Sequence, residues 1–278
     1  MKTLSALKKD LEFNAGLSSL IEVLKNIAVA QFRILEQKIK SFEELLSTID
    51  GFFEFIDIKK ISHPFLSPQN KIQAVVAVTS DSGLLGGLNM QIMTCAFKEL
   101  KKTPGKLIVI GDRGKIYASE SGMPYTAFPG IIDEERYSQA VQIGEYISTK
   151  LLKGDFGYLK VIYPKPVSFT VQSVEMLSFL PFETKTQMFL QSSDIILESK
   201  PKDIVEYLVS LWMREKFSII FGLSKLAEFA ARYVHLEGSL QKLKEMDNKL
   251  RLQYFRARHE LIDRNMRELF SARLLYAK

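Results

Sequence analysis

The chain has 278 residues, 46% hydrophobic and 25% charged, which is enough apolar material for one large or two modest cores. No apolar run approaches the roughly 18 residues of a membrane span, and the opening MKTLSALKKDLEF scatters charge where a secretory leader needs an unbroken apolar stretch. The lone Cys95 excludes an intramolecular disulfide and a cysteine-clustered metal site, while a formal charge of +6 is too small to select nucleic acid, membrane or acidic protein as partner.

Along the chain, proline divides the sequence first. All nine prolines lie between Pro64 and Pro201, and eleven of the fifteen glycines lie between Gly83 and Gly157. The first 63 residues and the last 77 are therefore proline-free, far longer than an ordinary globular helix. In the first flank Phe32, Leu35, Ile39, Phe42, Leu46, Ile49, Phe53 and Ile56 recur at alternating spacings of three and four. In the last flank Leu226, Phe229, Tyr233, Leu236, Leu240, Leu243, Asp247, Leu250, Tyr254, Ala257 and Leu261 do the same, with Asp247 as the polar interruption. Sustained spacing of this kind predicts a coiled coil. At the rise of an α-helix, residues 1–58 would extend about 85 Å and residues 203–278 about 110 Å. One chain that enters and leaves a single domain by two such helices pairs them most simply in antiparallel fashion.

Between the flanks the pattern becomes α/β. Strands are expected at 71–79, 106–111 and 158–164, with helices near 89–102 and 134–153 between them. The β-branched and aromatic run at 168–183 follows the preceding strand after a short turn, and it predicts an antiparallel partner strand. The expected fold class is a small Rossmann-like mixed sheet domain inserted between two long helices that form an antiparallel coiled coil. The expected divisions are residues 1–61, 62–201 and 202–278.

The first predicted strand runs into TSDSGLLGGLN, Thr79 to Asn89, and then into a helix. This is where an α/β protein often cradles a phosphate. Gly83, Gly86 and Gly87 do not have the glycine spacing of a dinucleotide loop, and Leu88 and Asn89 stand where a P-loop needs lysine and a hydroxyl. The second candidate, GDRGKI from Gly111, lacks the first glycine and the hydroxyl. Both read as tight turns, with Asp81 or Ser82 satisfying nearby backbone amides. His63, His235 and His259 are scattered along the chain and no hydrolase or metalloprotease motif is present, so no catalytic, metal or cofactor-binding residue is expected.

Two breaker-free helices around a small α/β domain, with this loop after its first strand, resemble the gamma subunit of F-type ATP synthases. Asp81, Gly83, Leu84, Gly86, Gly87, Leu88 and Asn89 match the family's loop, whereas Ser82 and Leu85 replace its basic residue and cysteine. Glu228, Ala230, Ala231 and Arg232 match a later block, and Tyr254, Arg256, Arg258 and Ile262 another. His259 replaces a glutamine. Ile262 and Glu268 survive from the last signature, where Asp263, Asn265, Ala272 and Arg273 depart from it. Near the start, Ala28, Ala30 and Arg33 are retained.

The resemblance implies a non-catalytic central-stalk subunit, the rotor shaft that couples ion flow through a membrane c ring to ATP synthesis or hydrolysis in an alpha/beta ring. Its implied partners are the alpha and beta subunits, the epsilon subunit and the c ring, with neither nucleic acid nor direct membrane insertion. Its implied place is peripheral, on the cytoplasmic face of a bacterial inner membrane or the organellar equivalent. The implied shaft-to-ring contacts are Arg33, Glu228, Arg232, Arg256, Arg258, His259, Ile262, Asp263 and Glu268. Asp81, Gly83, Gly86, Gly87 and Asn89 would shape the loop of the foot. Residues 241–278 hold ten Lys or Arg and five Asp or Glu, an excess that suits an acidic partner. Three alternatives remain open: a shaft paralogue in a specialised rotary ATPase, a nucleotide-binding enzyme built on the central domain, and a coiled-coil adaptor or nucleic-acid binder. Against the last, the basic residues lack interleaved aromatic platforms.

Overall fold

The computed structural model describes residues 3–39, 48, 49, 52, 61–68, 70–182 and 199–276. The chain divides into two compact units, one of residues 1–28 with 233–278 and one of residues 29–232. The ordered elements are α1 (Leu4–Ile39), β1 (Gln73–Val78), α2 (Leu88–Lys102), β2 (Gly105–Ile110), α3 (Asp112–Ser121), β3 (Tyr125–Phe128), α4 (Arg136–Leu152), β4 (Tyr158–Pro166), β5 (Gln172–Leu180) and α5 (Pro201–Tyr276).

Within the larger unit the five strands form one sheet in the order β3-β2-β1-β4-β5. The pairs β1–β2, β1–β4 and β2–β3 are parallel, while β4–β5 is antiparallel, as the short turn after β4 requires. Every residue of β1 is buried, so its run of alanine and valine is that of a strand covered on both faces. On one face α2 and α3 bring Ile92, Met93, Ala96, Leu100 and Ala118 against Val75, Ala77 and Val109. On the other, α4 supplies Ala140, Ile143, Ile147 and Leu151 and α5 supplies Val205, Val209, Met213, Phe217 and Phe221. Phe179 of β5 meets Trp212 and Phe217 at ring distances of 5.0 and 4.7 Å, which ties the hairpin to α5. The Rossmann-like mixed sheet is thus present, and α5 forms part of its covering layer.

Residue chemistry sets where α5 begins. Pro201 occupies the first helical position, where its missing N–H costs nothing, and Asp203 places a carboxylate in the positive first turn. Farther along, Leu226, Phe229 and Ala230 bury Phe32 and Leu35 of α1. Of the remaining first-flank seam positions, Ile49 joins the main core of the sheet unit. Phe42, Leu46, Phe53 and Ile56 lie outside the described residues, as does much of the 1–58 helix expected beyond Ile39.

In the smaller unit Leu17, Ile21 and Leu24 of α1 pack with Leu236, Leu240 and Leu243 of α5. Lys25 bonds Glu237 at 2.8 Å across the same pair, so the helices run antiparallel. The seam in α1 therefore begins well before Phe32: Leu7, Asn14, Ile21 and Ala28, each seven residues from the last, are all buried. Two other elements were not expected from sequence, α3 and the short edge strand β3, which together fill the interval between β2 and α4.

Candidate functional site

The glycine loop lies at the carboxyl end of β1, beside β4. This is the point where strand order reverses and open α/β sheets commonly bind ligands. Here the crevice is filled. Thr79, Ser80, Leu85, Leu88, Asn89, Ile131 and Pro164 from the sheet side, with Ser224 and Glu228 of α5, leave about 10 Å³ between them. That is about the space of a single water. No room is left there for a nucleotide.

Within the loop the bonds centre on Ser80, while Asp81 and Ser82 reach distant elements and not the nearby amides expected of them. Ser80 donates its N–H to Asn89 Oδ1 at 3.2 Å and receives Asn89 Nδ2 on its Oγ at 2.9 Å. Its hydroxyl donates to the carbonyl of Ser82 at 2.8 Å. Asp81 accepts the N–H of Asp112 at 2.8 Å, fastening the first turn of α3, and a side chain at Gly130 would strike the Asp81 carboxylate. Gly86 takes a φ of +60°, where a Cβ is strained, and Leu84 adopts φ +65° beside it. A Cβ on Gly83 would lie 2.9 Å from the Arg113 guanidinium. Asp81, Gly86 and Asn89 thus each have a definable part in shaping the turn, whereas beside Gly83 the near atoms are the movable end of the Arg113 side chain. Gly87 stands at the N-cap of α2 with ordinary negative φ.

Sequence spacing did not reveal where the loop is anchored. Ser82 donates its hydroxyl to Glu228 Oε1 at 3.0 Å and accepts from Arg232. Arg232 also bonds Glu228 Oε1 at 2.6 Å, and Lys225 bonds Oε2 at 2.9 Å. Glu228 is only 5% exposed, and both its oxygens are engaged within the chain. The two cations flank the Phe229 ring at 5.6 and 5.8 Å, and Phe229 in turn packs on Phe32. One polar cluster therefore links the loop after β1 to α5 and, through Phe229, to α1.

The other expected contact residues are solvent-facing and separate from this cluster. Arg33 is exposed on α1, beside a groove of about 470 Å³ floored by Phe32, Phe169, Leu223 and Leu226. Arg256, Arg258, His259, Ile262, Asp263 and Glu268 are all exposed along α5. Between Leu252 and Phe270 that helix also exposes Phe255, Leu261, Met266 and Leu269, a dense set of apolar side chains among the basic ones. Among the described residues no helix is long and apolar enough to cross a membrane, and no three His, Cys, Asp or Glu side chains are grouped to hold a metal.

A Rossmann-like mixed sheet whose crevice is filled by the chain's own helix, in a chain that also carries an antiparallel helical pair, defines an α/β protein with long terminal helices. The family model described as ATP synthase matches residues 3–273, and the chain belongs to that family. The ATP synthase gamma chain of Chlorobium phaeobacteroides (strain BS1) is 25% identical over 97% of each chain. In fold the chain is similar to a subunit in the rotor of the Euglena gracilis mitochondrial ATP synthase, at TM-score 0.68 and 16% identity over 93% of this chain and 98% of that one. A second Euglena structure, of the OSCP/F1/c-ring assembly, gives TM-score 0.70 and 15% identity over 98% and 93%.

Proposed function

We propose that this chain is the central-stalk subunit of a rotary F-type ATP synthase, a shaft that carries torque between a membrane c ring and a ring of alternating alpha and beta subunits. The observation that carries the reading is the match to the ATP synthase family across residues 3–273, which takes in both helices and the sheet domain together. The sheet domain is the foot, meeting the epsilon subunit and the c ring. The helical pair stands in the bore of the alpha/beta ring, where Arg33, Arg256, Arg258, His259, Ile262, Asp263 and Glu268 face the surrounding subunits. Glu228 and Arg232 brace the foot loop from within.

The subunit itself performs no chemistry. Its filled crevice supports this, because about 10 Å³ is far too little for a nucleotide. The complex sits at the membrane through the c ring, with this chain peripheral on the cytoplasmic face or the organellar equivalent. Gentle purification of the native complex through a tag on this chain tests the assignment. Alpha, beta, epsilon and c subunits should copurify in fixed ratio with ATPase activity. Recovery of the chain with none of them would overturn it.

A further inference from the structure

The seam of the unit formed by residues 1–28 and 233–278 contains one polar layer. Leu7, Asn14, Ile21 and Ala28 succeed one another at heptad spacing, and Asn14 alone among them is polar. Asn14 is 7% exposed, and its Nδ2 is buried with no hydrogen-bond partner. The groove beside it is polar, lined by Ser18 and Glu22 of α1 and by Lys244, Asp247 and Arg251 of α5. Asp247 stands at a heptad position of α5, and its carboxylate engages Arg251 on its own helix at 2.7 Å. The layer thus holds a buried donor without an acceptor.

The seam differs on the two sides of this layer. From Leu17 onward, Ile21 and Leu24 are closed against Leu236, Leu240 and Leu243, with Lys25 and Glu237 bonded alongside. Among residues 4–13 the one buried side chain is Leu7, and on α5 no described residue after Leu243 is buried.

We propose that the Asn14–Asp247 layer is a joint, at which residues 4–13 of α1 unzip from α5 as a unit while the seam from Leu17 onward stays shut. Opening gives the stranded amide its hydrogen bonds to water, so this layer favours release where an apolar layer would oppose it. Opening also bares Leu7, now buried. The use of such a joint rests on the shaft reading, since this is a surface that the surrounding ring would meet. The joint itself is a property of the chain alone, and its test needs no partner.

Residue-resolved amide hydrogen exchange on the full chain provides that test. Residues 8–13 should exchange together, at least tenfold less protected than residues 17–28, with the step falling at Asn14. Asn14→Leu should raise protection of residues 8–13 by roughly tenfold or more while leaving residues 17–28 little changed. Asn14→Asp, which sets a second carboxylate near Asp247, should lower it. A smooth gradient through position 14 is simple fraying and would overturn the proposal. So would protection of residues 8–13 that is indifferent to Asn14→Leu.

Discussion

Glu228 is a carboxylate almost removed from water, bonded to a serine hydroxyl, a guanidinium and an ammonium. Substitution by glutamine keeps the shape and removes the charge, so Lys225 and Arg232 lose their shared counter-ion. Hydrogen bonds to charged groups are worth about 1.5–3 kcal/mol each, and a half-broken buried pair costs at the upper end. Glu228→Gln should therefore destabilise the sheet unit by about 2–3 kcal/mol in denaturant melts and speed amide exchange across residues 79–89. Unchanged exchange in that loop would mean that Ser82 does not depend on Glu228. The sequence marked Ser82 as a departure from the family's basic residue. It could not show that the hydroxyl's partner lies 146 positions away, because such pairing depends on how α5 crosses the end of β1. Gly86 was legible for the opposite reason: a glycine at positive φ belongs to the turn itself, whereas Asp81 bonds the N–H of Asp112, 31 positions away, and Asn89 reaches back nine to Ser80.

The helices and strands read with uneven clarity. Buried strands announced themselves: β1 is an almost wholly apolar run, β4 is apolar through its buried Val161–Tyr163 stretch, and β5 alternates more loosely as an edge strand. α3 did not, because DRGKIYASES is mostly polar and buries only Gly114 and Ala118. β3 is four residues long with alternating partial exposure, too short for a periodicity to emerge. In α1 the seam before Phe32 is masked in the sequence because Asn14 and the small Ala28 interrupt the apolar heptad. On α5 the pattern was read correctly through Leu236, Leu240 and Leu243, all of which are buried. Leu240→Asp puts an unpaired charge against Ile21 and should cost the helical pair about 3–5 kcal/mol, visible as lost helicity and a lower melting temperature. Wild-type melting would remove the seam at that turn.

The same pair of helices should respond to pH at both extremes. The hydrogen bond from Lys25 holds the Glu237 carboxyl below its ordinary value, and the same bond from Glu237 holds the Lys25 ammonium above its own. For Glu237 the contribution is present above the unfolded carboxylate pKa of 4.5 and is lost as pH falls through the lower folded value. For Lys25 it is present below 10.5 and is lost as pH rises through the higher folded value. Lys25→Met should flatten both dependences of helical-pair stability, a change followed by circular dichroism across pH. Because the pair is largely exposed, the effect should be small and should shrink with added salt.

At the scale of the molecule, the features bear on the shaft reading. The sheet domain's crevice is filled, the helical pair is apolar inside from Leu17 to Leu24, and the described end of α5 carries exposed basic and apolar side chains together. Arg258 is one of these exposed cations, and an arginine fork against a ring carboxylate would have to form and break as the shaft turns. Such a bond contributes roughly 1.5–3 kcal/mol where shielded from water. Arg258→Ala should lower the ratio of ion pumping to ATP hydrolysis in complexes of unchanged composition. An unchanged ratio would take Arg258 out of torque transmission.

Rotation itself tests the central claim most directly. A probe is attached through a cysteine introduced at the exposed Glu120 of α3, with Cys95 replaced by serine, and the alpha/beta ring is fixed to a surface. On addition of ATP the account predicts that the probe turns in one direction, in steps, at a rate that follows hydrolysis. A probe that stays still on complexes that hydrolyse ATP at the normal rate, with this chain in place, would contradict the account.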